Sequence, residues 1–207
     1  YDPLIGSGIE ALIQANTRVI FLESPGSLTL EIQDVPAITA IARQHNITTI
    51  IDNTWATPLY FKAFEHGVDI VVQAVTKYLG GHSDVLMGAV IANERTYKSV
   101  RNTAHQTGQF AGGMDIALVL RGLRTLPVRL REHERNALRI AQWFESQDAV
   151  ERVIHPALSS HPQHALWQRD FLGASGLFTV VFKAHYTPAQ INTMVERYQY
   201  FGIGYSW

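Results

Sequence analysis

The sequence contains no cysteine. Disulfides, thiolate zinc centres and thiol nucleophiles are thereby excluded from this segment, and a reducing, cytoplasmic setting is the expectation. An excess of one charge is missing too: 17 lysines and arginines stand against 18 acidic residues, with no basic stripe or charge block. A nucleic-acid partner is therefore not expected. No apolar run approaches the roughly 20 residues of a membrane span, and the first residues lack a basic start followed by an apolar stretch. Neither a membrane partner nor a leader is expected. Histidines are present, but His82 and Asp84 have no further ligands at useful spacing, and no metal is expected. His161 and His164, set among proline and glutamine, are expected in a loop. The chain also lacks an initiator methionine and opens YDPLIG, so it is read as a fragment.

What is present is a strand–helix–strand rhythm over 207 residues, 46% of them hydrophobic and enough to bury a core. Residues 9–15 have helical spacing, RVIFLE predicts a strand ending at Glu23, and SPGS predicts a turn. Asp34 predicts the N-cap of a helix through VPAITAIARQH, with Pro36 in its first turn. TTIID is a strand with an apolar, β-branched body, TPLYFKAFEHG a short helix closed by Gly67, and VDIVVQAV and VLMGAVIA further strands. This pattern predicts an α/β fold with a mostly parallel sheet covered by helices. ERTYKSVRNTAHQ and residues 114–123 are then expected as helices, with Pro127 breaking the second before a long amphipathic helix, VRLREHERNALRIAQWFES. VERVIHP and GLFTVVFKA predict strands, PAQINTMVERYQ a helix, and YFGIGYSW a last strand.

Two side chains carry the chemistry. Lys77 follows the apolar run VDIVVQAV, and Asp52 ends the run TTIID, so both are expected just beyond the carboxyl ends of strands, where open α/β sheets bind ligands. A lysine and a carboxylate so placed suit pyridoxal phosphate chemistry: the amine forms the Schiff base, and the carboxylate keeps the pyridine nitrogen protonated. Trp55 is expected to pack rather than to touch a ligand. The glycines of GQFAGGMD do not follow a strand in the nicotinamide pattern.

Four blocks are similar to one known family: FLESPGS at residues 21–27, IDNTWATP at 51–58, TKYLGGHSDVLMG at 76–88 and RGLRTLPVRL at 121–130. SGLFTVVF and the terminal YSW extend the likeness across the chain. The sequence resembles the Cys/Met-metabolism class of pyridoxal-phosphate enzymes. Among its branches, ESPGS, DNTWA and YSW look most like the bacterial cystathionine β-lyases, and the γ-acting branches usually carry asparagine where this chain has Ser27. The resemblance implies the aspartate-aminotransferase-like fold (fold type I). Residues 1–127 would then be part of the cofactor-binding large domain, 128–148 a long linking helix, and 149–207 part of a smaller α+β C-terminal domain.

Carried over by residue, the resemblance makes Lys77 the Schiff-base lysine and the base that removes the Cα proton. It gives Asp52 to the pyridine nitrogen and Thr76 to the cofactor phosphate. Ser206 and Trp207 would line the substrate site. The family often has serine at position 74; this chain has Ala74, one phosphate donor fewer. The implied reaction is β-elimination of an amino-acid thioether, L-cystathionine, to homocysteine, pyruvate and ammonia in methionine biosynthesis. Its alternatives are a γ-acting relative (γ-lyase, γ-synthase or methionine γ-lyase) and a non-catalytic truncated fragment. The implied assembly is a homotetramer, a dimer of dimers sharing active sites. The family's phosphate loop, its ring-stacking tyrosine and its carboxylate-binding arginine have no counterpart in these residues, so the fragment alone is expected to be inactive.

Overall fold

A computed structural model describes residues 1–204. Four short, β-rich segments form one sheet: β1 (Val19–Glu23), β2 (Thr48–Asp52), β3 (Ile70–Ala74) and β4 (Gly88–Ala92), in the order β1-β2-β3-β4. The first three run parallel, and β4 pairs antiparallel with β3. The expected mostly parallel sheet is therefore present. In register, Glu23 stands opposite Asp52 and Asp52 opposite Val72. The carboxyl ends of the parallel strands thus bring Glu23, Asp52 and the residues after Ala74 to one edge.

Helix α1 (Val35–Gln44) begins as the sequence predicts, with the Asp34 carboxylate accepting from the Ala37 N–H at 3.2 Å and Pro36 in the first turn. Val35, Ile38 and Ala42 of α1 pack with Ile20, Leu22 and Ile51 of the sheet in the main core. Each fully buried aliphatic side chain there contributes about 1.5–3 kcal/mol. Beneath this core the buried Asp69 ties three elements together. It accepts from the Thr49 N–H at 3.0 Å, from Asn93 Nδ2 at 2.8 Å and from the Arg95 guanidinium. Burial alone would raise the Asp69 carboxyl, but Arg95, Thr49 and Asn93 outweigh it and hold it below the usual carboxylate range.

The segment TPLYFKAFEHG is not the single helix expected. Only α2 (Thr57–Tyr60) is helical. Phe61 then turns extended and is 1% exposed, pairing as an isolated antiparallel bridge with Phe171. Stacking on Phe171 (ring centroids 4.7 Å) and on His66 (4.8 Å) overrides the local helical pattern. Residues 9–15 also depart from expectation, forming a 3-10 helix, Gly6–Leu12, that ends earlier.

After α3 (Glu94–Gln106) comes the largest correction. Pro127 does not break the chain: α4 runs unbroken over Gly113–Glu145, with Pro127 inside it. A proline here removes one helical hydrogen bond and costs about 3 kcal/mol. Packing on both sides holds the helix together, since Val119 and Leu126 before the proline and Leu130 after it all lie in a second core with Val75, Leu79 and Val85. Arg129 adds a brace, donating through Nη2 to the Gly122 carbonyl at 2.8 Å and through Nε to Thr125 Oγ1 at 3.0 Å.

The remainder is lighter. β5 (Val150–Ile154) and β6 (Thr179–Phe182) form an antiparallel pair, and α6 (Pro188–Glu196) follows with a Thr187–Gln190 capping box. His164 is not in a loop: it opens α5 (His164–Asp170). His161 precedes α5, 4% exposed, with Nε2 at 3.1 Å from the Leu30 carbonyl oxygen. Residues 200–204 of the expected last strand form no strand, and the rest of it, 205–207, lies outside the described residues. No helix among the described residues is long and apolar enough to cross a membrane.

Candidate active site

Lys77 sits in a tight loop directly after β3. The Lys77 N–H donates to the Ala74 carbonyl at 3.0 Å, and the Gly81 N–H donates back to the Lys77 carbonyl at 2.8 Å. Gly81 adopts φ +75°, a region that favours glycine, and the Arg129 guanidinium fills the space a side chain there would need. Arg129 Nη1 also donates to the Tyr78 carbonyl at 2.9 Å, so α4 holds the loop from behind. The Tyr78 hydroxyl accepts from the Gly176 N–H at 3.0 Å, and burial raises its pKa above the ordinary tyrosine value.

Asp52 is fixed at the end of β2. Its Oδ1 accepts from the Thr54 N–H at 2.9 Å, and Thr54 Oγ1 in turn accepts from the Ala74 N–H at 2.8 Å. This chain of contacts ties the carboxylate of β2 to the end of β3, a few residues from the lysine. Trp55 is buried as expected, its ring edge-on to His155 and Phe171, and its Nε1–H donates to the Leu177 carbonyl at 3.1 Å.

Lys77 and Asp52 open onto one cavity of about 210 Å³, with Glu23, Ser27, Thr54, Trp55 and Ala74 also in its walls. Burial and, after it, the neighbouring Asp52 raise the Glu23 carboxyl above the usual range. Thr76 does not line this cavity. It lines a larger one, about 700 Å³, which Lys77 shares. The Thr76 hydroxyl is engaged by the backbone of Met87, accepting from its N–H at 2.9 Å and donating to its carbonyl at 3.2 Å. Ser206 and Trp207 lie outside the described residues. His82 turns its Nδ1 to the Gly80 carbonyl at 2.8 Å, and Asp84 pairs with Arg121 at 2.5 Å. Among the described residues no cluster of histidines and carboxylates could hold a metal. A third cavity, about 500 Å³, lies between β5 and residues 29–31, and neither Lys77 nor Asp52 lines it.

A model of the Cys/Met metabolism PLP-dependent enzymes matches residues 1–207, the whole chain. The chain belongs to this family. Its members depend on pyridoxal phosphate, and the shared fold is borne out in three dimensions. The structure matches that of a cystathionine γ-lyase from Lactobacillus plantarum, solved with L-serine, with a TM-score of 0.90 at 31% identity, over 96% of this chain and 51% of that one. Two curated relatives align along the full chain. A putative cystathionine β-lyase of Saccharomyces cerevisiae is 52% identical over 207 residues, which make up 61% of its own length. An L-alanine/L-glutamate racemase of Wolbachia pipientis is 44% identical over 207 residues, 51% of its length. The chain therefore spans about half to three-fifths of the proteins it matches. One family fold carries three reactions here, so identity at this level fixes the cofactor and leaves the reaction to be argued.

The donor set fits the family's cofactor. One amine (Lys77), two carboxylates (Glu23 and Asp52) and the hydroxyls of Ser27 and Thr54 share a single cavity at the carboxyl ends of neighbouring strands. Three residues at the site, Glu23, Thr54 and Arg129, were not singled out from the sequence. Thr54 lay in the IDNTWATP block that marked the family but gave no sign that it would fix Asp52. Arg129 lay in a block that marked the family but gave no sign of its contact with the lysine loop.

Proposed function

We propose that this chain carries the reacting centre of a pyridoxal-phosphate-dependent carbon–sulfur lyase that performs β-elimination on L-cystathionine. The observation that carries this reading is the shared cavity of Lys77 and Asp52 in a chain of this family. The bound cofactor supplies an electron sink for the pair released when a substrate C–H bond breaks. Lys77 would hold the cofactor through its amine and, once the substrate's amino group had displaced it, would take the proton from the substrate Cα. Asp52, oriented by the Thr54 N–H, holds the positive charge at the ring nitrogen. Breaking the Cβ–S bond sends its electrons to sulfur, which leaves as homocysteine once protonated. With one water consumed, the remaining carbons leave as pyruvate and the nitrogen as ammonia.

Further parts of the reading rest on the family resemblance. Thr76, beside Lys77 in the larger cavity, would present its hydroxyl to the cofactor phosphate. Ser206 and Trp207 would meet the substrate. The partner is a small thioether amino acid, and the protein works in the cytoplasm as a homotetramer built from two dimers. Exposed apolar side chains at Leu86 (90%), Phe110 (76%) and Met114 (76%) support an assembly that covers them. Residues 1–127, 128–148 and 149–207 are proposed as part of the large domain, its linking helix and part of the small domain.

Product analysis of the full-length protein with L-cystathionine tests the reaction. Pyruvate with homocysteine supports β-elimination, and 2-oxobutyrate would move the assignment to a γ-acting enzyme. Inversion of alanine or glutamate without release of a keto acid would move it to a racemase.

A further inference from the structure

Glu23 ends β1 directly opposite Asp52 in the parallel register, so both side chains leave the same face of the sheet. They open onto the same cavity, and Lys77 is the one cationic side chain among the described residues in its walls. Two carboxylates so close repel each other unless a cation or a proton lies between or beside them. If Lys77 is committed to the cofactor, the walls are left with more negative charge than they can neutralise themselves. We infer that Glu23 is a positioning residue that acts through Asp52, so that the paired carboxylates hold a ligand's positively charged ring nitrogen more firmly than Asp52 alone. This rests on the cofactor reading above and adds to it the residue that sets the strength of the Asp52 contact.

The geometry separates the two roles. Asp52 is fixed by the Thr54 N–H at 2.9 Å and makes the contact. Glu23 has no comparable tether to Thr54 and supplies charge from the neighbouring strand. The titratable groups sharing the cavity with Glu23 are Asp52 from β2 and Lys77 from the loop after β3. The Glu23 carboxyl is raised first by burial and then by Asp52, and the second of these causes agrees with this crowding of like charge. A cationic group arriving beside Asp52 relieves the repulsion and brings Glu23 back toward its charged form.

The test uses the full-length protein stripped of cofactor. Binding of pyridoxal phosphate and of its 1-deaza analogue, whose ring has no nitrogen, is followed by tryptophan fluorescence in wild type, Glu23→Gln and Glu23→Asp. Glu23→Gln should weaken pyridoxal phosphate roughly five- to tenfold while leaving the deaza analogue within about twofold. Glu23→Asp, which keeps the charge, should recover most of the loss. Equal weakening of both ligands overturns the inference in favour of a purely structural Glu23, and so does unchanged binding of pyridoxal phosphate. Wild-type protein that binds neither ligand overturns the cofactor reading itself, an outcome distinct from either of these.

Discussion

Around Asp52 and Lys77 the chain is cross-tied several times over, whereas the β5–β6 pair and α6 are held by much less. The lysine loop is bonded to itself, to the start of β4 through Thr76 and Met87, to α4 through Arg129, and to residue 176 through Tyr78. The β5–β6 region rests on a small cluster of three buried residues, Ala141, Val153 and Leu158. Helix α6 buries nothing, and Phe201 and Ile203 stand 73% and 65% exposed. A reactive group has to be held to a fraction of an ångström, so its surroundings are over-determined by polar ties. The outlying sheet carries no such demand and leaves apolar surface open to further packing.

The sharpest way to separate the two regions is to remove the amine. Lys77→Ala should lower turnover by a factor of about a thousand or more, abolish the absorbance of covalently held cofactor, and leave the urea midpoint of the folded protein nearly unchanged. A large drop in stability would mean that Lys77 is a structural residue. His155 tests the seam between the regions, because it is fully buried against Trp55 on one side and Phe178 on the other. Burial lowers its pKa to about 4, with nearby His161 adding to the effect and the Ser175 backbone partly offsetting it. The folded state therefore takes up fewer protons than the unfolded chain between the ordinary value of 6.5 and about 4. Stability is full above the unfolded pKa and falls as the pH drops through this window, by about 3 kcal/mol in all. Urea titrations at pH 7 and pH 4 should show this loss in wild type, and His155→Gln should flatten it. An equal loss in the variant would place the acid sensitivity elsewhere.

A milder perturbation compares two glycines of one helix. A Cβ at Gly122 of α4 would fall inside contact distance of the Leu79 and Gly80 carbonyls of the lysine loop, while at Gly113 nothing lies within 4 Å. Gly122→Ala should cost about 1–3 kcal/mol through overpacking and displace the loop. Gly113→Ala should be neutral or slightly stabilising, by up to about 1 kcal/mol. Chemical denaturation of both variants, with cofactor affinity measured alongside, checks the pair. Equal effects would show that the loop does not need this close approach.

The strands and the positions of Asp52 and Lys77 at their ends were legible because both signals are local. β1, β2 and β3 are short β-branched runs, and Asp52 and Lys77 follow from where those runs end. What escaped the sequence was settled by contacts between distant segments. Pro127 reads as a helix breaker on its own, and the packing of Val119, Leu126 and Leu130 on the loop core, with the Arg129 brace, keeps α4 whole across it. Phe61 reads as helical until Phe171, far along the chain, draws it into a bridge. His164 sits among residues that suggest a loop, and the short helix it opens carried no periodicity long enough to see. Glu23 was visible as the end of a strand, but its pairing with Asp52 is a matter of register, which no single segment encodes.

The smallest expected effect concerns Ala74, where the family often has serine. Ala74 lines the cavity with Lys77, and its N–H is already used by Thr54 Oγ1, so the backbone there has no donor left for a phosphate. A hydroxyl at this position would add one donor without disturbing that bond. Ala74→Ser should then tighten pyridoxal phosphate roughly three- to tenfold, the worth of one net hydrogen bond. Pyridoxal, which lacks the phosphate, should bind unchanged. Equilibrium titration with both ligands decides the point. A gain for both would trace the effect to the ring or to Lys77, and a gain for neither would show that residue 74 faces the ring end of the cavity and that Thr76, from the other side of the loop, meets the phosphate without it.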